Sequence, residues 1–306
     1  MLDYTLNAKP CALPMPELPE VETVCRQLNA RLCGQRLVSV HLLRSGREFP
    51  VGKKFEQALA GKKIVKIARR AKLIIWYFDD GTALIAHLKM TGRFVFVNET
   101  YIPQKHDRAV FLFTAPSSSS LRGVRDEAIP LVWSDIRQFG FIKLLSLEEL
   151  KFVLSKYGPE PLETSEEKLA DRLRPKTIPR PSLKRRGSRT VKAALLDQTV
   201  IAGVGNIYAD EACHRAGLRP TRRLQILSAA DRLRLVKELK TILAESITQK
   251  GTSANDYVDT SGKRGGFLNL LRVYGHEGQP CQTCGTLIKK IVLAQRGTHY
   301  CPNCQK

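Results

Sequence analysis

Met15-Pro16-Glu17-Leu18-Pro19-Glu20-Val21-Glu22-Thr23-Val24 is where this 306-residue chain first acquires a pattern. From Pro19 onward Val21, Val24, Cys25, Leu28 and Leu32 recur at three- and four-residue spacing, with Glu20 and Glu22 in the first turn and Gly34 as a stop. That spacing predicts an amphipathic helix. Met1 to Pro14 hold neither a cationic stretch nor a continuous apolar one, so they do not read as a signal peptide. The expectation is that residues 1–14 are a leader arising from a misassigned start.

Downstream of the helix the period changes. Lys63–Ala68, Leu73–Phe78, Ala83–Leu88, Phe94–Val97, Ala109–Phe113, Leu131–Trp133 and Phe141–Leu145 are short β-rich runs, with Asp80-Gly81 as a hairpin signal. Many short strands separated by turns argue for a sandwich or barrel. Ala115–Pro130, with its run of serines, reads as a surface loop insertion. After Tyr157-Gly158-Pro159-Glu160-Pro161 helix formers take over, which marks a linker and a second domain. Ser228 opens a long helix, with Asp231 as an imperfect capping box and Gly251 past its end.

Composition narrows the function classes. Hydrophobic residues at 43% and charged residues at 26% exclude whole-chain disorder and fibrous architectures. The longest apolar candidate, Ala71–Phe78, is strand-sized, so no membrane partner is expected and the cytoplasm is the default. Fifty Lys and Arg against 29 Asp and Glu leave a net charge of +21, which points to a polyanion, with nucleic acid leading. Asp171–Lys192 holds nine basic residues and one acidic, and reads equally as a solvated loop or a phosphate-facing segment.

Four of the eight cysteines, Cys281, Cys284, Cys301 and Cys304, form two CxxC pairs near the end of the chain. Four thiolates so spaced complete a tetrahedral shell for one Zn²⁺ and leave no open position, so the metal should be structural. Lys289, Lys290 and Arg296 lie between the pairs and make this hairpin a DNA-contacting arm. Gly203-Val204-Gly205-Asn206 joins two helical stretches. It reads either as a glycine turn whose helix N-terminus and Asn206 amide grip a phosphate, or as a plain helical corner with Asn206 as N-cap.

Taken together, these segments resemble the formamidopyrimidine-DNA glycosylase (Fpg/Nei) family over Met15–Lys306. The resemblance runs through the Pro16 segment, Arg69-Arg70-Ala71-Lys72, His87-Leu88-Lys89-Met90-Thr91-Gly92, Lys105-His106-Asp107, Asp135-Ile136-Arg137-Gln138-Phe139-Gly140, Gly158-Pro159-Glu160-Pro161-Leu162, Gly203–Tyr208 and the cysteine tail with Ala294-Gln295-Arg296. It implies an α+β multidomain protein with an N-terminal helix plus β-sandwich, a helix-two-turn-helix domain and a C-terminal zinc β-hairpin. The divisions expected are 15–150, a linker over 151–165, 166–270 with a lesion-capping loop from about Gly251 to Leu270, and 271–306.

The activity implied is base excision repair of oxidised purines in duplex DNA. Pro16, freed at the amino terminus, is the nucleophile; Glu17 protonates the opening sugar, and Glu20 supports it. Lys72 serves β-elimination and Arg296 δ-elimination, the guanidinium acting through its charge. His87, His106, Arg137, Asn206 and Tyr274 contact DNA, while Met90, Arg137 and Phe139 fill the hole left by an extruded base. Without the resemblance, Met90 and Phe139 read as core residues. Lys89 and Gln138 replace the family's usual Gly and Arg, and Leu18 favours the purine branch over an endonuclease VIII type. A monomer is expected, associated with the nucleoid. The competing readings are a lesion-binding protein without catalysis, enforced if residues 1–15 stay attached, and a zinc-ribbon nucleic-acid module.

Overall fold

The computed structural model describes residues 15–44, 52–114, 128–175, 189–253 and 257–306. The expected leader lies outside them, as do residues 115–127 of the expected loop insertion, 176–188 of the basic segment and 254–256 of the expected capping loop.

Helix α1 (Leu18–Leu32) starts on Glu17, whose N–H donates to Glu20 Oε2 at 2.8 Å. Pro19 sits in the first turn, where a missing N–H costs nothing. One face buries Val21, Val24, Cys25, Leu28 and Leu32. Strand β1 (Leu37–Leu42) and helix α2 (Lys53–Leu59) follow, and neither was read in the sequence. In β1 every third residue is buried, because a register shift between Leu37 and Ser39 breaks the period-two alternation.

The seven expected strands all form, within two residues of their expected bounds: β2 (Ile64–Arg70), β3 (Leu73–Phe78), β4 (Thr82–His87), β5 (Gly92–Phe96), β6 (Asp107–Phe113), β7 (Ile129–Asp135) and β8 (Phe141–Ser146). Ile129 and Pro130, expected in the loop insertion, belong to β7. Two antiparallel sheets, ordered β1-β6-β7-β5 and β2-β3-β4-β8, enclose a core in which Trp76, Phe94, Phe111 and Trp133 stack with centroids 4.5–6.2 Å apart. Helix α3 (Leu147–Leu154) buries Leu150 on the opposite side of the second sheet, together with Leu73, Ile75, Ala83 and Ile85. The expected division at residue 150 therefore cuts a helix that packs on the sandwich; the chain leaves that sheet at Tyr157.

Helices α4 (Glu166–Arg172), α5 (Val191–Leu195), α6 (Asn206–Arg215) and α7 (Ala229–Thr248) form the second core, around Tyr208, Leu235 and Leu239. The Ser228–Asp231 capping box closes in both directions, at 3.0 and 3.3 Å. Leu18 belongs to this helical core while Val21 onward belongs to the sandwich. Helix α1 thus carries the Pro16-Glu17 segment to the seam between the two. The last hairpin, β9 (Lys289–Leu293) and β10 (Arg296–Tyr300), has Ala294 and Gln295 at its tip, both with left-handed φ.

Candidate active site

Glu17 is 2% exposed, and its carboxylate caps helix α6 from across the seam, accepting the Ile207 N–H at 2.9 Å and the Tyr208 N–H at 3.5 Å. Gly205, the N-cap of α6, has no side chain because a Cβ there would lie 2.2 Å from the Glu17 carboxyl carbon. Two residues earlier the Gly203 carbonyl accepts the Leu18 N–H at 3.1 Å. The glycine turn is therefore a seat for Pro16-Glu17-Leu18. This corrects the helical-corner reading of the motif and narrows the phosphate one. Two of the N–H groups expected to grip a phosphate hold Glu17, and the N-cap is Gly205 rather than Asn206.

Burial pushes the Glu17 carboxyl up to about 7, with Lys72 and the two α6 N–H groups pulling down and Glu20 pushing up. A carboxylic acid poised there can both give and take a proton at neutral pH. Glu20, also buried, is saturated instead: it accepts from Glu17 N–H, from Thr252 N–H at 2.7 Å and from the Tyr208 hydroxyl at 2.5 Å. It ties α1 to the end of α7.

Lys72 stands at the tip of the β2–β3 hairpin behind Ala71, whose φ is 54°. Glu160, expected within a linker and a family motif but given no role of its own, holds this turn. Its carboxylate accepts the Ala71 N–H at 2.6 Å and pairs with Arg69 and Arg70, each at 2.7 Å. Lys72 is almost buried, and burial lowers its pKa, against the pull of Glu17 and Glu20 and with further lowering from Arg296 and Lys89. A buried amine with weakened proton affinity is suited to proton transfer.

Glu17, Lys72, His87, Met90, Asn206 and Arg296 all line one cleft of about 570 Å³. Pro16 is buried between Met15 and Glu17, both of which line that cleft. His87 Nδ1 accepts the Lys89 N–H at 2.9 Å, and burial, Lys89 and Lys72 push its pKa down to about 3. The ring is neutral at physiological pH, with its proton on Nε2.

His106, Arg137, Phe139 and Tyr274 do not line this cleft. Arg137 and Phe139 share an exposed loop, the guanidinium 5.2 Å from the ring centroid. Thr91 and Asp135 tether that loop through Arg137 N–H at 2.9 Å and Gly140 N–H at 2.7 Å. Phe139 is 54% exposed, so the core reading fails for it. Met90 is half-buried. The His106 carbonyl accepts the Asp135 N–H, and the Tyr274 ring lies 5.0 Å from His299. The described part of the capping loop docks on α1, where Gln27 bonds Asp259 and Thr260 at 2.9 Å, and none of it lines the cleft.

The sulfur atoms of Cys281, Cys284, Cys301 and Cys304 all lie within 4.8 Å of one another, with near pairs at 3.9 and 3.5 Å. A tetrahedron of Zn–S bonds has S···S edges of about 3.8 Å, so the donor set fits one structural zinc.

Sequence reasoning missed the joint that docks this module. Lys192 and Asp210 are both fully buried and pair at 2.7 Å. Lys192 Nζ also donates to the Gly297 carbonyl and Thr298 Oγ1, while Asp210 accepts the His299 N–H. Asn206 Nδ2 adds a second donor to Gly297, so Arg296 is held from the residue beside it. Glu211 accepts the N–H groups of Arg272, Val273 and Tyr274. The available signal was Asp210-Glu211 in the middle of α6, set between the small apolar residues Ala209 and Ala212.

Three domain families match the chain in order: the formamidopyrimidine-DNA glycosylase N-terminal domain over residues 15–142, the formamidopyrimidine-DNA glycosylase H2TH domain over 158–257, and the zinc finger found in FPG and IleRS over 278–306. The formamidopyrimidine-DNA glycosylase of Pelotomaculum thermopropionicum is 38% identical, covering 95% of this chain and 99% of its own. That of Desulfitobacterium hafniense is also 38% identical, over 95% and 100%. Among solved structures, Lactococcus lactis Fpg bound to DNA containing an abasic site is 33% identical with a TM-score of 0.80, over 95% of this chain and 99% of that one. Complexes of Lactococcus lactis Fpg with Fapy-dG DNA (mutant T221P) and with oxidised-pyrimidine DNA are also 33% identical, with TM-scores of 0.80 and 0.79 over 95% of this chain and 100% of those. The chain belongs to the formamidopyrimidine-DNA glycosylase family.

Proposed function

We propose that the chain is a bifunctional DNA glycosylase and abasic-site lyase of base excision repair, acting on oxidised purines such as 8-oxoguanine and formamidopyrimidines in duplex DNA. One observation carries this reading: a buried carboxyl raised to about 7 shares a cleft with Lys72 and Arg296, on the chain segment next to Pro16.

The chemistry requires Pro16 at the amino terminus of the active molecule, because only a free secondary amine has a lone pair to give. The nitrogen bonds to C1′ of the damaged nucleotide, and the base leaves with the electrons of its glycosidic bond and takes up a proton. Glu17 protonates O4′ as the sugar opens to an iminium. Loss of a C2′ proton then sends electrons toward that cation and breaks the C3′–O bond, and loss of the C4′ proton breaks the C5′–O bond. Lys72 and Arg296 face the departing phosphates, and His87 offers its Nε2–H to the backbone. Met90, Arg137 and Phe139 fill the hole left by the extruded nucleotide. His106, Asn206 and Tyr274 hold the strand, and the zinc hairpin is rigid enough to present Arg296 to it.

A second reading follows from Met15, which lines the cleft. While it and the residues before it remain attached, Pro16 nitrogen is a tertiary amide, and the protein binds lesions without cleaving them. We further propose a monomer working in the cytoplasm; no helix among the described residues is long and apolar enough to cross a membrane.

The test is incubation of the Pro16-initiated chain with duplex DNA holding one 8-oxoguanine. The reading expects strand scission with phosphate on both new ends. Intact strands carrying an abasic site would leave a glycosylase without the lyase.

A further inference from the structure

We propose that Lys89 is a phosphate-binding residue of the cleft, placed at a backbone position that suits glycine. The proposal rests on the DNA reading above and assigns one more contact within it. The turn from Leu88 to Gly92 closes through a Gly92 N–H to Leu88 carbonyl bond of 2.9 Å. A Cβ on Gly92 would stand 2.5 Å from that same carbonyl oxygen, so glycine is required there. Lys89 has φ 51°, the left-handed region in which glycine is unstrained and a lysine is not. The turn therefore carries glycine where space demands it and a strained lysine where glycine would be easier. Strain kept at a site is a pointer to function.

Three further observations say what that function is. Lys89 lines the cleft beside Lys72, His87 and Arg296. Its N–H holds His87 Nδ1, which leaves the imidazole N–H free to donate to the same ligand. Its ammonium lies 5.6 Å from the Phe141 ring centroid, with the Lys143 ammonium 5.2 Å from that same centroid, and no ion pair among the described residues involves it. The carboxylates that line the cleft are Glu17 and Asp197, and Arg189 already pairs with Asp197. Three basic side chains, Lys72, Lys89 and Arg296, against one acid that is half protonated at neutral pH leave the cleft short of negative charge. An internucleotide phosphate next to the extruded nucleotide supplies it.

The experiment measures equilibrium binding of an abasic-analogue duplex across salt concentration, together with thermal unfolding, for wild type, Lys89→Arg and Lys89→Gly. Lys89→Gly should flatten the slope of log affinity against log salt by about 0.9 and weaken binding about fivefold at moderate salt. The same variant should unfold about 2 °C higher, because the strain is relieved. Lys89→Arg should keep the wild-type slope. Weaker binding from a more stable protein is a combination that a merely structural lysine does not produce. A Lys89→Gly slope equal to wild type, or a variant less stable than wild type, overturns the assignment. A wild-type slope near zero would instead overturn the DNA reading itself.

Discussion

The protein buries two lysine–carboxylate neighbourhoods and uses them in opposite ways. At the hairpin joint Lys192 and Asp210 touch at 2.7 Å, and their remaining polar atoms are taken up by the Gly297 carbonyl, Thr298 and the His299 N–H. In the cleft Lys72 and Glu17 feel each other's charge without forming a direct pair among the described residues, and burial, aided by Glu20, drives the Glu17 carboxyl up to about 7 against the pull of Lys72 and the two α6 N–H groups. A saturated pair fixes geometry; an unsaturated one keeps its protons movable. The same residue types become architecture or chemistry according to how completely they are partnered.

The largest effect that could break this contrast lies in the cleft. Glu17→Gln cannot donate or accept the proton, and single-turnover base release should fall about 10³-fold. Quench-flow on an 8-oxoguanine duplex measures it, and a loss below tenfold would mean that Glu17 merely caps α6. Next comes the joint. Lys192→Met strands the Asp210 charge and should cost about 3–5 kcal/mol in urea unfolding, whereas Lys192→Met with Asp210→Asn should recover most of that loss. Equal destabilisation of both variants would show that shape, not charge pairing, holds the hairpin.

The smallest effect is pH linkage at Glu17. Its folded pKa is raised from 4.5 to about 7, so the folded state holds the proton more tightly than the unfolded chain. The stability this group contributes is full below about pH 4.5 and is lost as pH rises through about 7, a change of at most about 3 kcal/mol. Unfolding of wild type at pH 5 and pH 8, set against Glu17→Gln, isolates it. A glutamine variant with the same pH dependence as wild type would place the carboxyl's pKa in the ordinary range.

How much of this was legible in the sequence depended on distance along the chain. Features governed by near neighbours were read well: the α1 periodicity, seven strands, the Ser228 capping box and the two CxxC pairs. Strand β1 escaped because its register shift erases the alternation that marks a strand. The site was legible as a set of motifs, yet their mutual purpose was not. Gly205 could be seen as a glycine, but its occupant, the Glu17 carboxylate, comes from nearly two hundred positions away. Glu160 looked like part of a linker because the arginines it clamps lie some ninety residues earlier. Lys192 was one basic residue among nine until the fold placed it on Asp210 and the hairpin.

The central claim is that the Pro16 nitrogen becomes covalently joined to the sugar. Borohydride reduction during reaction with abasic DNA, followed by proteolysis and mass spectrometry of the adduct, reads the joined atom directly. The account predicts one adduct, on a peptide that begins with Pro16. An adduct on a lysine, or on a chain that still carries Met15, would contradict it.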